Sequence, residues 1–591
     1  MPSSRIALCS VRAVLMLMIL AVLTSGLAVG QELRTTNTEF TVDLTAEISV
    51  PELAASEANR QALEEQYYMP PVEQPVHRLP NGELTSEPSQ DVLDRLPWVG
   101  EPNAVTLGAD KITPSFSSIK GFVGVVEADN VTVNHFELEP PDQGLAVNNN
   151  VAVEIVNNIV QIFNATTGAS LAGPIAASKF FNAPSGTGLT DTQVFYDPTT
   201  KRWFLTEIIS NSSSIEDIAV AVSKTSSATG SYFIYHIRAV SSDLSGCGSV
   251  DCFPDYPKAG YDKNILIVDV DLFNSAPKGK FVAAAGYAMP KSKLEAGAAF
   301  TYERLVFPGD FVVQPSVPAP GEPFATGANG TEYLMEARNI VDGSTNVRVW
   351  AISNTNNIVT SPSSLRGSGV DVKGESYGAA VPSTQPDVVG PYCKSKGVTS
   401  APSIDAGYNG FQATVQKANG KLYGALAFGS KDSTGFNRDV IAWFALTPSV
   451  TSTGTVSATI FKQGYLVPGN GYSLTYPAFG LNKTGAGAMG FTEINKSKSV
   501  VGGYPSASII QFTGTGVTGA ILVTGQGQTS DDGFTGCPGA GPGKVGRWGD
   551  YGAATVDAAT GFFYTGNEMI PFKTVKAGQL ANWGTFITQL H

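Results

Sequence analysis

Three stretches of this chain repeat one spacing of side chains able to hold a cation or move a proton. Asp191 and Glu207 bracket TQVFYDPTTKRWFLT, and Asp255 and Asp271 bracket YPKAGYDKNILIVDV, each pair sixteen residues apart. Asp550 and Asn567 bracket YGAATVDAATGFFYTG, seventeen apart. A turn rich in Asp, Asn and Gly lies midway, and a hairpin folded there returns its last residue beside its first. Arranged radially, such hairpins gather acids around one mouth. Asp142, Asp191, Asp255 and Asp550 come from opening positions, and Glu207, Asp271, Glu336, Glu493 and Glu568 (beside Asn567) from closing ones. Carboxylates held close together raise one another's pKa, and a hard cation removes that penalty. Ca²⁺ accepts many oxygen ligands in loose geometry. Asp191, Asp255, Asp271 and Glu207 are therefore the candidate metal ligands and Ca²⁺ the candidate cofactor. The competing reading has the same acids bonded to backbone amides and hydroxyls at the strand ends, as turn-flanking Asp commonly is.

Glycoside hydrolysis needs two carboxyl groups across the scissile bond, and Glu207, Glu493 and Glu568 are the catalytic candidates for it. Asp142, Asp191, Asp255 and Asp550 are ligand-binding candidates. Tyr256 and Tyr551 join them, each following an opening aspartate. Other chemistries find little support. The chain has 4 histidines, no G-x-S-x-G elbow and no phosphate loop, which argues against nucleophilic triads, multi-histidine metal sites and nucleotide hydrolysis. His236, in SYFIYHI, reads as a packed strand residue. Trp203, Trp443 and Trp548 sit in or beside β-type runs and read as packing between repeats, with sugar stacking the sharper alternative.

The elements that must position these residues are short β-type runs separated by Gly, Asn, Asp, Ser and Pro clusters, with no amphipathic helix among them from about residue 122 on. Opening strands are legible at residues 140–147, 191–197, 255–262, 314–320, 410–416, 476–482 and 549–557. The expected fold is all-β, a single β-propeller of seven blades, with six or eight also compatible with the irregular spacing. The interval between Gln314 and Gly410 is where a further blade could hide. The expected domains are a signal peptide at residues 1–30, an irregular arm or linker at 31–119 with one short helix within 51–68, and the propeller at 120–591.

Residues 1–30 carry Arg5 and Arg12, an apolar run of eleven from Ala13 to Leu23, and small residues before Gln31. That is the pattern of a cleaved secretory leader, and the run is too short to span a bilayer. The formal net charge is −13, which speaks against nucleic-acid binding and suits an extracellular protein. Four cysteines follow the leader, an even number that in a secreted chain suggests two disulfides. Three pairings are open in principle. The short Cys247–Cys252 loop is the simplest, and leaves Cys393 with Cys537.

The chain resembles a group of secreted, mostly bacterial β-propeller proteins of poorly defined function with a sialidase-like look. The matching stretches are PPDQGLAVNNNVAVEIVNNIVQIFNATTG, DPTTKRWFLTE followed by IAVAVSKTSSATGSYFIYHI, FPDYPKAGYD, NGKLYGALAF followed by IAWFAL, YPAFGLNKTGAGAMGF, and RWGDYGAATVD followed by NEM. The resemblance implies a fold and no agreed reaction. A sialidase would add a tyrosine nucleophile and an arginine cluster, for which Arg202, Arg338 and Arg547 are present. Its S-x-D-x-G-x-T-W hairpin motif is missing, and SDDGFTG at 530–536 is one residue short and lacks the Trp. The expected function is a secreted, monomeric propeller that binds an extracellular ligand, glycan or protein at the acidic mouth of its channel, without nucleic acid and without membrane insertion. The alternative is a propeller glycoside hydrolase or lyase using paired carboxylates.

Overall fold

The computed structural model describes residues 31–35, 40–61, 72–73, 96, 116–211, 214–274, 279–338, 345–407, 410–574 and 579–591; the expected leader lies outside them. Seven antiparallel units follow one another along the chain. Their innermost strands are Gly144–Asn148, Gly188–Asp197, Phe253–Tyr261, Gln314–Pro318, Val415–Ala418, Tyr472–Leu481 and Ala553–Val556. Each inner strand packs against the next, and the last against the first, so the units close into a propeller ring. Ile119–Val126 closes it by hydrogen bonding, pairing as outermost strand with the C-terminal strand Gly584–Leu590 of the seventh blade.

The hydrophobic core lies between blades. Phe204, Ile208 and Val220 of the second blade pack on Tyr261, Leu266 and Val268 of the third. Because both faces of a blade are covered, its middle strands are apolar without alternation; Ile265–Phe273 is buried at every position. Trp203 and Trp443 are buried in two such inter-blade clusters. His236 is a strand residue whose ring nitrogen bonds the Phe181 carbonyl at 2.8 Å.

The turns after the inner strands are latched at the end of the channel away from the acids. Asp557 of the last blade accepts the Asn149 and Asn150 amides of the first. Glu322 does the same for Asn419 and Gly420, and buried Lys291 reaches Asp197 at 2.6 Å.

Three expectations are corrected. Residues 31–61 are no loose arm. Gln31–Glu32 pairs with the outer strand of the fourth blade, Arg34–Thr35 and Phe40–Val42 with that of the third, and Ala46–Ser49 with that of the second. Helix Val50–Gln61 then packs on the first blade, where Lys179 meets Glu57 at 2.5 Å. This strap covers edges that would otherwise present unpaired backbone. The rest of the expected linker lies largely outside the described residues. Secondly, a helix, Glu127–Asn134, does interrupt the strands. Thirdly, the long interval after Gln314 hides no blade: the fourth blade ends with strand Arg366–Lys373, and residues 374–414 leave the ring.

Candidate functional site

The inner strands run from the acid-bearing end of the channel to the latched turns, and the second strands return. In the register, Thr192 faces Glu207 and Asp255 faces Asp271, so the hairpin spacing does bring opening and closing acids together. Three of the inner strands, those of the second, third and sixth blades, carry a bulge near this end. Asp142, Asp191, Tyr256, Val312 and Tyr476 hold φ values of 47, 58, 54, 56 and 54°, a region that costs side-chain-bearing residues about 1–3 kcal/mol. Val312, being β-branched, is the least suited of them.

Backbone amides at this end of the strands point at the acids of neighbouring blades. Asp550 donates its amide to Asp142 at 2.7 Å, and Asn157 donates its side-chain amide to the other Asp142 oxygen. The Asp191 amide donates to the Asn157 side-chain oxygen Oδ1 at 2.6 Å, and the Tyr256 amide donates to Asp191 at 2.8 Å. Val312 donates to Asp271 at 3.2 Å. One relay thus links the seventh, first, second, third and fourth blades. Asp255 accepts the Tyr256 amide at 3.1 Å.

All four opening aspartates share this end of the channel, and none is open to solvent: Asp142, Asp191, Asp255 and Asp550 are 0–3% exposed. A cap covers them. Residues 374–414 and 526–552 leave the ring and zip together, Val398–Ser400 along Gly541–Pro542 and Ser403–Ile404 along Val545–Gly546, both in parallel. Cys393–Cys537 staples the two loops, and Asp532 accepts the amides of Tyr392 and Cys393. Cys247–Cys252 closes the small loop as expected. The cap is tied down by Glu139, which accepts the amide and hydroxyl of Thr535 at 3.0 and 2.7 Å.

The three candidate catalytic glutamates part company. Glu207 accepts the Asn158 amide at 3.3 Å, and burial, then the charge of Asp191, holds its carboxyl well above the usual range. Glu568 accepts the Gly549 amide at 2.6 Å and is raised by burial, with Asp531, Asp142 and Glu139 adding to it. Glu493 stands apart. It takes the Ser508 hydroxyl of its own blade at 2.8 Å, and burial lifts it to about 7. The arginines do not converge. Arg202 bonds turn carbonyls, Arg338 pairs with Asp310, and Arg547 lies 3.5 Å from Asp550.

The cations at the centre were not foreseen in these roles. Lys258, on the third inner strand, is buried beneath the cap with its Nζ 3.2 Å from the Tyr256 ring centroid and 3.3 Å from that of Tyr551. Burial pushes it down to about 7, against the opposing pull of Asp191, Asp550, Asp271 and Asp142. Arg547, brought in by the cap, lies between Asp550 and Asp405. The signal for Lys258 was present: it is the one cation in the inner strand FPDYPKAGY. Among the described residues no group of three or more Asp, Glu, His or Cys side chains is placed to hold a metal ion. The candidate ligands Asp191, Asp255, Asp271 and Glu207 are not gathered into such a group, and the Lys258 side chain stands among the ring carboxylates.

Below the ring the channel is narrow and uncharged. Its cavity of about 50 Å³ is lined by residues of all seven blades, among them Gln143, Gln193, Thr414, Gln416 and Thr555.

No protein-family model and no curated sequence matches the chain. Among solved structures it is similar to an exo-beta-1,3-galactanase from Clostridium thermocellum (10% identity, TM-score 0.28, covering 67% of this chain and 82% of that one). It is also similar to the WD40 domain of SCAP from fission yeast (7%, 0.28, 74% and 81%). A third is a Trypanosoma rangeli sialidase (10%, 0.27, 67% and 54%). Likeness at this level says nothing of activity, and the propeller assignment rests on the strand pairing of the chain itself.

Proposed function

We propose that the mature protein is a secreted propeller that binds an extracellular glycan or protein on the capped face, and that its ring acids serve the fold rather than a reaction. The observation that carries this is the state of the acids. Glu207, Glu568 and the four opening aspartates are at most 4% exposed, and backbone amides of the ring occupy Glu207, Glu568, Asp142 and Asp191. A glycosidase must place two carboxyls on either side of a sugar bond, and these carboxyls are buried and bonded to backbone amides instead. The capped face, by contrast, gathers the long connections. It carries Val501 and Phe572, 66% and 49% exposed, on the turns that follow the second strands of the sixth and seventh blades. Two disulfides fit an oxidising compartment, and no helix among the described residues is long and apolar enough to cross a membrane.

The second reading is a propeller hydrolase or lyase in which Glu207 and Glu568 act as a pair. It is favoured by their raised carboxyls, the state a general acid needs. Immobilised mature protein probed with glycan and extracellular-protein arrays tests the binding reading. A specific binder should be found, and Val501→Asp with Phe572→Asp should weaken it without changing the melting temperature. Binding indifferent to both substitutions would refute the capped face as the site.

A further inference from the structure

The ammonium of Lys258 has no hydrogen-bond partner among the described residues, although the residue is only 1% exposed. Its neighbours supply another kind of recognition. Tyr256 and Tyr551 present their ring faces to Nζ at 3.2 and 3.3 Å. Asp142, Asp191, Asp271 and Asp550 surround it with negative charge. Aromatic faces attract a cation through the ring quadrupole, most strongly where water is excluded, and nearby anions add to that pull at low dielectric.

The walls are fixed by contacts that do not involve the lysine. The Tyr256 amide is held by Asp191 at 2.8 Å, and its hydroxyl donates to the Asp550 carbonyl at 3.2 Å, across the axis from the third blade to the start of the seventh. The two rings stand 4.9 Å apart, centroid to centroid. We infer that the propeller axis carries an alkylammonium-recognition cage, walled by Tyr256 and Tyr551 and ringed by carboxylates, which Lys258 fills with its own side chain. The ligand class is a primary alkylammonium group, supplied in this chain by Lys258 itself and by a short alkylamine once that side chain is removed. This inference does not depend on what the capped face binds.

The test is chemical rescue. Lys258→Ala removes three carbons and the nitrogen, which n-propylammonium matches. The variant should melt below wild type, and millimolar n-propylammonium chloride should raise its melting temperature saturably. 1-Propanol and potassium chloride should not, and wild type should not respond to the amine. The double variant Lys258→Ala with Tyr551→Leu should lose the response. A folded Lys258→Ala protein that ignores the amine, or answers equally to propanol, overturns the cage. If Lys258→Ala does not fold, lysine-labelled wild type decides by NMR. One lysine should show ε-methylene signals shifted upfield by the two rings, absent in Lys258→Met. No such signal in wild type overturns the proposal.

Discussion

Tyr256 and Tyr551 meet across the channel axis with ring centroids 4.9 Å apart, although one opens the third blade and the other the seventh. The contact makes the acid-bearing end a closed hub. Aspartates that could have formed an open rim instead lie beneath a stapled cap, joined blade to blade by amides and balanced in part by Lys258 and Arg547.

Asp142 is the joint between the last blade and the first. Its two oxygens accept separately from the Asp550 amide and the Asn157 side chain. Asp142→Asn keeps one acceptor and sets an NH₂ against one of the two donors. A buried donor left unmet costs about 1–3 kcal/mol. The melting temperature should fall by an amount corresponding to that loss in chemical denaturation. Unchanged stability would mean that the relay contributes nothing.

The buried carboxyls make stability depend on pH with a stated sign. Glu493 is raised by burial from 4.5 to about 7. The folded state therefore holds the proton more tightly than the unfolded state. The favourable contribution is complete below about pH 4.5 and is lost as pH rises to about 7, a swing of about 3 kcal/mol. Glu493→Gln, which keeps the shape and removes the titration, should flatten that part of the denaturation profile. An identical slope in the variant would contradict the assignment.

Much of this was legible in the chain. The sixteen-residue return predicts that Asp255 faces Asp271, because a hairpin's register follows from its turn, and the seven opening strands announce the ring. Bulge and cap were harder to read. Asp255-Tyr-Pro-Lys and Thr475-Tyr-Pro-Ala both mark a left-handed tyrosine before proline, and in the first the tyrosine amide is aimed at another blade. Arg547 reaches Asp550 only because two irregular loops are stapled together, and loop paths are set by contacts far apart in sequence. The strap was hidden because two- to four-residue strands carry no periodic signal; they are strands only because an edge awaits them.

The two disulfides should differ in worth. Cys393–Cys537 closes a separation of 144 residues and Cys247–Cys252 one of 5. Loop-closure entropy gives about 5 kcal/mol for the first and about 2 kcal/mol for the second. Replacing Cys393 and Cys537 by Ser should lower the melting temperature more than replacing Cys247 and Cys252. It should also make the 526–552 loop the first site of proteolytic cleavage. The reverse order would show that the cap is held without its staple.

Chelation should leave the molecule unaffected. With an ammonium among the ring acids and no metal-holding group among the described residues, EDTA should not shift the melting curve at pH 7.5, nor should added Ca²⁺ raise it. A calcium-dependent rise would be the mass-action signature of a bound ion and would favour Asp191, Asp255, Asp271 and Glu207 as its ligands.

The central claim is that the ring acids hold the propeller together and carry out no reaction. It is tested most directly by turnover of the purified mature protein on a broad glycan library, beside Glu207→Gln and Glu568→Gln. No product should come from any of the three, with the variants altered only in stability. Product released by wild type and lost in either variant, at a temperature where both remain folded, would contradict it.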